Sequence, residues 1–325
     1  MTYCFLKSVS IVLSMVVSMA VASTLSGCER IGDDIQEFFP LKSGDGVPPT
    51  VISVKKIPTG IDTYCIFDGR KFTAQGFAEC MGIGYRLFNS GICQTYNLAD
   101  VESPQQIATF ALGSRRNRNH SNCAQFDLDE DGNPLLYVSG LYSKCFVERI
   151  SPEESSLVQV ITLPPLEVYN ISGSMNIICG DDGFLWAFGS ALSDNALTFA
   201  KLRKPDLSEG DVTLDGHDII DHWTEENYVY SQSKWQGGMV YHGLLYFVFG
   251  TAGSKRHIVI YDTKTHQKVS DINLNTVIRE EPEDCDLVDG RILLTINGGS
   301  GYYLIDLKEF IEKETMDQNY IIVRL

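Results

Sequence analysis

The sequence has few positive charges and almost no stretch with the apolar spacing of an amphipathic helix. Its 325 residues include 26 lysines and arginines against 42 aspartates and glutamates, which gives a formal net charge of −16. A surface this acidic repels polyanions and argues against nucleic acid or anionic lipid as a partner. Helical periodicity is confined to residues 307–316, so an array of helical repeats is not expected.

Motifs for common cofactors are also missing. The nine cysteines form no Cys-x-x-Cys pair and no cysteine–histidine spacing of the zinc-binding kind. Gly299-Ser300-Gly301 lies between two predicted strands and lacks the strand–turn–helix context of a hydrolase nucleophile. The sequence contains no glycine-rich phosphate-binding loop. We therefore expect no cofactor, apart from a calcium-like loop considered below.

What the sequence does contain is a repeat. An amide or carboxylate side chain precedes a glycine by seven residues in four places: Gln75 before Gly82, Asn176 before Gly183, Gln236 before Gly243 and Glu283 before Gly290. A fifth copy runs from Asn122 to Gly132, with three extra residues in its turn. Each glycine precedes an apolar, strand-like stretch, and a second such stretch follows. The copies start about 45 to 60 residues apart, which is the period of β-propeller blades.

The repeat predicts an all-β protein, a β-propeller of five four-stranded blades. Dipeptides such as Asp182-Gly183 and Asp289-Gly290 suit tight hairpins, and the flanking apolar residues favour strands. Six blades is the alternative, if residues 64–72 form a blade of their own. Either residues 51–57 or residues 320–325 could supply the outer strand that closes the ring.

The N-terminal segment is predicted to direct export. Lys7 is the only charge before a serine-containing apolar run over residues 9–22, which is short for a membrane span. Leu25-Ser26-Gly27-Cys28 resembles the lipobox of bacterial lipoproteins. That resemblance implies cleavage before Cys28 and lipidation of this cysteine, which would anchor the chain without a spanning helix. The alternative is an ordinary signal peptide.

These features divide the chain into three segments: a lipoprotein signal peptide over residues 1–27, a lipidated tether over residues 28–49 and a propeller domain over residues 50–325. Seven cysteines belong to the propeller: Cys65, Cys80, Cys93, Cys123, Cys145, Cys179 and Cys285. Either they are buried thiols, or Cys80 pairs with Cys93 and Cys123 with Cys145 across neighbouring strands. An exported compartment permits such disulfides.

The residues that open the repeats are predicted to ring the mouth of the central channel. These residues are Gln75, Asn122, Asn176, Gln236 and Glu283. Glycoside hydrolysis needs two carboxylates at a set separation, whereas this ring has four amides and one carboxylate. Asp284 and Asp286 follow on the same strand, where alternation would turn some side chains away. The ring therefore favours binding over catalysis. In an enzyme, Glu283 and His120 would be the candidate catalytic residues.

Loops that link an outer strand to the next inner strand are expected on the same face as the mouth. They hold the remaining candidate ligand-binding residues: Arg115, Arg116, Arg118, His120 and Trp235. Arginine suits carboxylate, sulfate or phosphate groups, and tryptophan offers a flat face to a sugar. We predict that the three arginines lie beside Trp235 and Glu283. The alternative is a solvated loop in which the arginines pair with neighbouring carboxylates.

Two acidic segments contain residue types that can bind metals. Asp127, Asp129 and Asp131 resemble the first half of a calcium loop, but Val138 replaces the glutamate at its twelfth position. An acidic hairpin turn is the favoured interpretation. The second segment comprises Asp215, His217, Asp218, Asp221 and His222. It lies in the longest insertion between strands, where a surface loop or a short capped helix is predicted.

The last blade opens with Glu281-Pro282-Glu283-Asp284 before the hairpin at Asp289-Gly290. This opening resembles blades of bacterial exported β-propeller lipoproteins and of phage receptor-binding propellers. The resemblance implies the fold and a carbohydrate-facing environment, and it transfers no catalytic residue. We expect an exported lipoprotein of the cell envelope, anchored in the outer membrane only by its lipid. It would bind a glycan, an anionic small ligand or a protein partner without catalysis. The alternatives are a glycoside hydrolase or polysaccharide lyase, and a scaffold subunit of an envelope complex.

Overall fold

The computed structural model describes residues 51–117, 119–193, 195–226 and 234–307. Over these ranges the chain forms 22 β-strands and four short 3-10 helices. The described chain begins with β1 (Val51–Asp62), and the later strands form five blades. The prediction of an all-β propeller with five blades is confirmed.

The main strands of each blade form an antiparallel sheet. The first blade contains β2 (Tyr64–Phe67), β3 (Arg70–Cys80), β4 (Ile83–Phe88), β5 (Ile92–Asn97) and β6 (Gln105–Ala111). The second contains β7 (Ala124–Leu128), β8 (Pro134–Gly140), β9 (Lys144–Ile150) and β10 (Ser155–Thr162). The third contains β11 (Ile171–Cys179), β12 (Leu185–Ala191), β13 (Leu197–Leu202) and β15 (Ile219–Glu225), after the short β14 (Val212–Thr213), which pairs with β10.

The last two blades have four strands each. The fourth contains β16 (Trp235–Tyr241), β17 (Leu244–Phe249), β18 (His257–Asp262) and β19 (Lys268–Asn273). The fifth contains β20 (Glu281–Val288), β21 (Arg291–Asn297) and β22 (Ser300–Leu307), with β1 as its outer strand. In each blade the strand that contains or follows the repeated residue is innermost: β3, β7, β11, β16 or β20. Four 3-10 helices lie between strands: η1 (Gly113–Asn117), η2 (Glu167–Tyr169), η3 (Leu207–Glu209) and η4 (Gly216–Asp218).

The ring is closed by pairing the start of the propeller with its end. Strand β1 runs antiparallel to β22, with Val54 opposite Ile305 and Lys56 opposite Tyr303. One of the two predicted closures, by residues 51–57, is therefore present, and residues 320–325 lie outside the described ranges. The alternative of a sixth blade is wrong, because β2 pairs with the first half of β3 and extends the first blade.

The repeated glycines have the backbone conformation that their turns require. The φ angles of Gly82, Gly132, Gly183, Gly243 and Gly290 lie between 69° and 80°. Residues with a Cβ atom rarely adopt this left-handed region, whereas glycine enters it at little cost. The seven-residue spacing therefore marks the end of each innermost strand.

Apolar faces of neighbouring blades form the core between them. Phe188 of the third blade meets Phe247 of the fourth edge to face, with ring centroids 5.1 Å apart. Phe199 stacks on Trp223 at 4.7 Å and also contacts Phe247. Burial of each such ring contributes about 2 kcal/mol. Sheet-to-sheet packing of this kind fixes the positions of the inner strands, and so of the residues along the axis.

Several predicted features fall outside the described residues. They include the leader, the lipobox with Cys28, and Arg118. Within the described ranges, no helix has the length and hydrophobicity needed to cross a membrane.

Candidate ligand site at the channel mouth

The axis of the propeller is filled by a buried carboxylate. Asp284 on β20 is fully buried and accepts hydrogen bonds from the backbone N–H groups of three other blades. Its Oδ2 atom accepts from Phe77 at 2.9 Å and from Ala124 at 3.2 Å, and its Oδ1 atom accepts from Gly238 at 2.8 Å. Burial raises the pKa of Asp284, and these donors oppose the shift. One side chain thus links four of the five blades.

Register shifts lie next to two of these donors, Phe77 and Gly238, and next to Asp284 itself. The pairing is interrupted between Ala74 and Phe77 in β3, between Trp235 and Gly238 in β16, and between Pro282 and Cys285 in β20. Each shift places two residues opposite one, which is the geometry of a β-bulge. Both Glu283 and Asp284 are consequently buried, although strict alternation would turn one of them away.

Close approach to the axis also requires a residue without a side chain. A Cβ atom at Gly237 would collide with the carboxylate of Asp284. A Cβ at Gly76 would lie 2.8 Å from the Ser121 carbonyl oxygen, which accepts the N–H of Gly76 at 2.8 Å. Gly237 in β16 therefore leaves room for Asp284, and Gly76 in β3 leaves room for the backbone of Ser121 and Cys123. Asp284 occupies the corresponding bulge position in β20.

Above Asp284, polar side chains from four blades form a connected ring at the mouth. Asn122 Nδ2 donates to Asn176 Oδ1 at 3.1 Å, and Asn176 Nδ2 donates to the Gln236 carbonyl oxygen at 2.7 Å. Gln236 Nε2 donates to Glu281 Oε1 at 2.9 Å. Asn297 Nδ2 lies 3.4 Å from Glu281 Oε2. Three predicted ring residues, from the second, third and fourth blades, are thereby brought together, with Glu281 from the fifth.

Glu283, the predicted carboxylate of the ring, lies deeper than Glu281. Only 3% of Glu283 is exposed, and burial together with the nearby charge of Glu281 raises its pKa well above the ordinary value. Asn297 hydrogen-bonds to it and Arg86 is close enough to oppose the shift. Arg86 of β4 is buried and donates to the Ile296 carbonyl oxygen at 3.1 Å. The mouth therefore contains one half-buried carboxylate above one that favours its neutral form.

His120 lies beside the ring, because its side chain hydrogen-bonds to that of Asn122. Burial lowers its pKa, so the neutral ring is favoured, while a hydrogen bond with the Asn122 side chain opposes the shift. The nearby charge of Lys234 lowers the pKa further. His120 Nδ1 is buried and has no hydrogen-bond partner among the described residues. A neutral imidazole at this edge can exchange hydrogen bonds with a hydroxyl group.

Gln75, the fifth predicted ring residue, is on the expected strand but its side chain stays local. It is buried, and its Nε2 atom donates to the carbonyl oxygen of its neighbour Ala74 at 2.9 Å. The backbone carbonyl oxygen of Gln75 accepts a hydrogen bond from Thr295 Oγ1 of the fifth blade at 3.2 Å. Gln75 therefore joins blades one and five and has no observed bond to the amide ring.

The arginine loop does not form an open basic cluster in the described residues. Arg115 in η1 pairs with Asp68 at 3.1 Å, and its guanidinium lies over the rings of Phe67 at 4.9 Å and Phe72 at 5.7 Å. Arg116 is exposed, and Arg118 lies outside the described residues. Arg115 thus pins the β2–β3 hairpin to η1, which is the alternative in which an arginine pairs with a neighbouring carboxylate.

Trp235 combines a packing role with a position next to the mouth. The ring packs against the core between blades three and four, and its Nε1 atom donates to Ser190 Oγ at 2.7 Å. The side chain is half-buried and immediately precedes Gln236. Trp235 is therefore the direct sequence neighbour of Gln236, a member of the amide ring.

The carboxylates of the first acidic segment form ion pairs and hydrogen bonds within the protein. Asp127 pairs with Lys204, and Asp129 accepts from Arg149 at 3.1 Å and from the backbone of Asn133 at 2.8 Å. Asp131 donates its own N–H to Asp129. No cluster of three or more metal-ligating side chains occurs within the described ranges. The favoured interpretation of an acidic hairpin turn agrees with these contacts.

The second acidic segment contains the predicted short capped helix. Asp215 caps η4 by accepting from the His217 N–H at 2.7 Å. Asp218 pairs with Arg203 at 2.8 Å and Asp221 with His266 at 2.7 Å, while His222 packs against Tyr169. The side chains of this segment thus fasten the insertion to the third and fourth blades.

All seven cysteines of the described chain are unpaired thiols, so the two alternative disulfides are not formed. Six of the seven are buried. Burial raises the pKa of each thiol, to about 11 for Cys65 and about 12 for the half-buried Cys80. Thiols held in the neutral form in this way are poor nucleophiles.

Sequence reasoning missed Asn297 and Arg86, and it undervalued Asp284. Asn297 and Arg86 lie in second strands of their blades, outside the repeat position used to find the ring. A signal for Asp284 was present, because the residues after Gln75 and Gln236 are glycines whereas an aspartate follows Glu283. A charged residue in place of two glycines indicates a group that reaches across the axis.

No protein-family model matches the chain, and no curated protein sequence matches it. Solved structures with a similar fold include an exo-β-1,3-galactanase from Clostridium thermocellum, with 13% identity, a TM-score of 0.45 and coverage of 78% of this chain and 62% of that one. A GH43 β-1,3-galactosidase with galactodeoxynojirimycin has 9% identity, a TM-score of 0.44 and coverage of 76% and 93%. The propeller domain of Cps50 (Swd1) from Myceliophteria thermophila has 10% identity, a TM-score of 0.38 and coverage of 73% and 85%. What these proteins share with the chain is the β-propeller fold.

Proposed function

We propose that the protein binds a neutral glycan at the channel mouth and does not transform it. The observation that supports this is the ring of half-buried polar side chains formed by Asn122, Gln236, Glu281 and Asn297, with His120 at its edge. Amides and carboxylates of this kind donate to and accept from sugar hydroxyls. Trp235, beside the ring, offers an apolar face to a sugar.

A neutral ligand is favoured over an anionic one by the charges at the mouth. Glu281 stands in the ring itself, whereas Arg115 is engaged by Asp68. Lys234 is exposed at the rim, but it faces the carboxyl groups of the fifth blade. An anion would therefore meet a negative group with little compensation, in a chain whose net charge is −16.

A printed array of neutral and anionic oligosaccharides tests the proposal with the full-length chain. We expect binding to neutral sugars, and loss of at least about tenfold in affinity for Gln236→Ala, because the variant lacks an amide that can donate to and accept from sugar hydroxyls. Gln105→Ala is the matched control, since Gln105 is exposed on an outer strand. Binding confined to sulfated or carboxylated sugars would favour the anionic ligand. Absence of binding to any sugar would contradict the proposal and favour a scaffold with a protein partner.

A glycoside hydrolase is the second candidate, and the pair of Glu281 and Glu283 is the observation that favours it. Burial and the Glu281 charge raise the pKa of Glu283, which is the direction that a general acid requires. Both groups belong to one strand, however, and Glu283 is almost inaccessible. Incubation of bound sugars with the wild type and with Glu283→Gln separates the candidates. Cleavage by the wild type that Glu283→Gln abolishes would establish catalysis, and intact sugars with both chains would support binding alone.

We also propose that the propeller is held in the cell envelope by lipid on Cys28, as the lipobox resemblance implies. Replacement of Cys28 by serine removes the thiol that would be acylated. The variant should then appear in the soluble fraction of the cell, whereas the wild-type chain sediments with membranes. Membrane association that persists in Cys28→Ser would contradict lipid anchoring.

A further inference from the structure

A tyrosine beside the mouth has a backbone conformation that is unfavourable for its side chain. Tyr142 lies in the three-residue turn between β8 and β9, with φ at 62°, and Ser143 follows with φ at 50°. The left-handed region costs a residue with a Cβ atom about 1 kcal/mol or more. Bulky residues in this region are uncommon and occur at sites where surrounding structure or function maintains them.

The first blade has the same turn with smaller residues. There, Ser90 and Gly91 lie between β4 and β5, with φ angles of 65° and 66°. In both turns the flanking strand residues pair across a gap of three residues, Phe88 with Ile92 and Gly140 with Lys144. Tyr142 thus takes the place of a serine in an otherwise equivalent turn, so the turn itself does not require an aromatic residue.

Ser143 has a structural role, whereas Tyr142 has none that the described residues reveal. The Ser143 side chain accepts from the Met175 N–H at 2.8 Å, and its carbonyl oxygen accepts from Leu163 at 2.9 Å. Tyr142 is 63% exposed, and no hydrogen bond or ring contact joins it to the described part of the chain. The strain at Tyr142 is therefore not offset by internal contacts.

Residues on both sides of the turn bond to the strand that carries Asn176 of the amide ring. Ser139, three residues before Tyr142, donates through Oγ to Asn176 Oδ1 at 3.1 Å. Three residues of extended chain span roughly 10 Å. On the other side, Met175, which Ser143 holds, directly precedes Asn176. An extended ligand that contacts the ring would reach Tyr142 along the rim.

We propose that Tyr142 is a stacking platform for a second sugar unit of the glycan bound at the mouth. Tyrosine supplies an apolar face at low conformational cost, because it has only two side-chain torsions and its backbone is fixed here by Ser143. The ligand class is then an oligosaccharide of at least two units. This inference rests on the proposed function, since it places the extra subsite next to the ring.

The test compares four full-length variants with the oligosaccharide that gives the strongest array signal. Tyr142→Gly relieves the strain and removes the ring, so its melting temperature should rise while its affinity falls between about threefold and tenfold. Tyr142→Phe keeps the ring and should bind within twofold of the wild type. Met81→Gly is the matched control: Met81 is 65% exposed with φ at 53° in a turn at the opposite face, so it should gain stability without a change in affinity. Gln236→Ala reports on the ring alone.

The outcomes separate this inference from the proposed function. If Gln236→Ala loses affinity and Tyr142→Gly binds like the wild type, the stacking role of Tyr142 is wrong and glycan binding at the amide ring is supported. If Tyr142→Gly loses both stability and affinity, Tyr142 acts through the fold and the platform is also wrong. If the wild type binds no sugar, both inferences fail. Loss of affinity together with a gain in stability is the result that supports the platform.

Discussion

Asp284 in the axis and Glu281 at the mouth are three residues apart on β20, but their hydrogen-bond partners differ in kind. Asp284 is fully buried and accepts from backbone N–H groups of three other blades. Glu281 is half-buried and accepts from the side chains of Gln236 and Asn297. Backbone donors are fixed by the sheets, whereas side-chain amides can rotate to meet a ligand. This difference is the basis on which we propose that the axis is structural and that the mouth binds a ligand.

Removal of the axial carboxylate should have the largest effect. Asp284→Ala leaves three buried N–H groups without acceptors, and each such group costs about 1 to 3 kcal/mol. We expect the free energy of unfolding to fall by at least about 3 kcal/mol, as measured by urea denaturation of the full-length chain. Asp284→Asn, which keeps one acceptor oxygen, should lie between this variant and the wild type. A loss below about 1 kcal/mol for Asp284→Ala would mean that the axial carboxylate contributes no more to stability than the residues at the mouth.

The pH dependence of stability should report a further carboxyl group of β20, the half-buried Asp286. Burial raises the pKa of Asp286 to about 8, from an unfolded value near 4. Between these values the folded state keeps a proton that the unfolded state has lost, so stability falls as the pH rises. One such group contributes a slope of up to about 1.4 kcal/mol per pH unit. Urea denaturation between pH 5 and pH 8 measures it.

Asp286→Asn is the variant that assigns this slope. An asparagine can still accept the Glu79 N–H, which Asp286 accepts at 2.7 Å, but it does not titrate. The slope should therefore decrease and the stability at pH 8 should increase. Glu283 and Asp284, whose pKa values are also raised, would maintain part of the slope. An unchanged slope in Asp286→Asn would show that Asp286 is ionised in the folded state.

Changes at the mouth should alter stability least. Asn297→Ala removes a donor to Glu281 in a half-buried position, so we expect a loss of about 1 kcal/mol or less by urea denaturation. Its affinity for the glycan should nevertheless fall about as much as that of Gln236→Ala. A large loss of stability in Asn297→Ala would mean that the ring is part of the scaffold rather than a site for a ligand.

The fold was predictable because each repeat contains a glycine that marks the hairpin after its inner strand. The glycine at each hairpin has positive φ, and the spacing from this glycine locates the inner strand. The sequence does not decide whether residues 51–57 or residues 320–325 close the propeller, since either of these terminal apolar segments can complete a sheet. Burial patterns do not say which strand pairs with β22.

The site was only partly predictable, because β-bulges and second strands are not visible in the repeat. The pattern identified Asn122, Asn176 and Gln236, which open inner strands. It did not indicate that a bulge turns Asp284 into the axis, or that Asn297 approaches from β21. The prediction for the arginine loop depended on the position of the loop and on its charge, and the hairpin that supplies Asp68 to Arg115 lies far away in sequence.

A crystal structure of the full-length chain with the strongest array oligosaccharide tests the central claim most directly. We expect sugar hydroxyls within hydrogen-bond distance of Gln236, Glu281 and Asn297, with Asp284 still bonded to its three backbone donors. A sugar bound away from the mouth, or a ligand that displaces the Asp284 contacts, would contradict it.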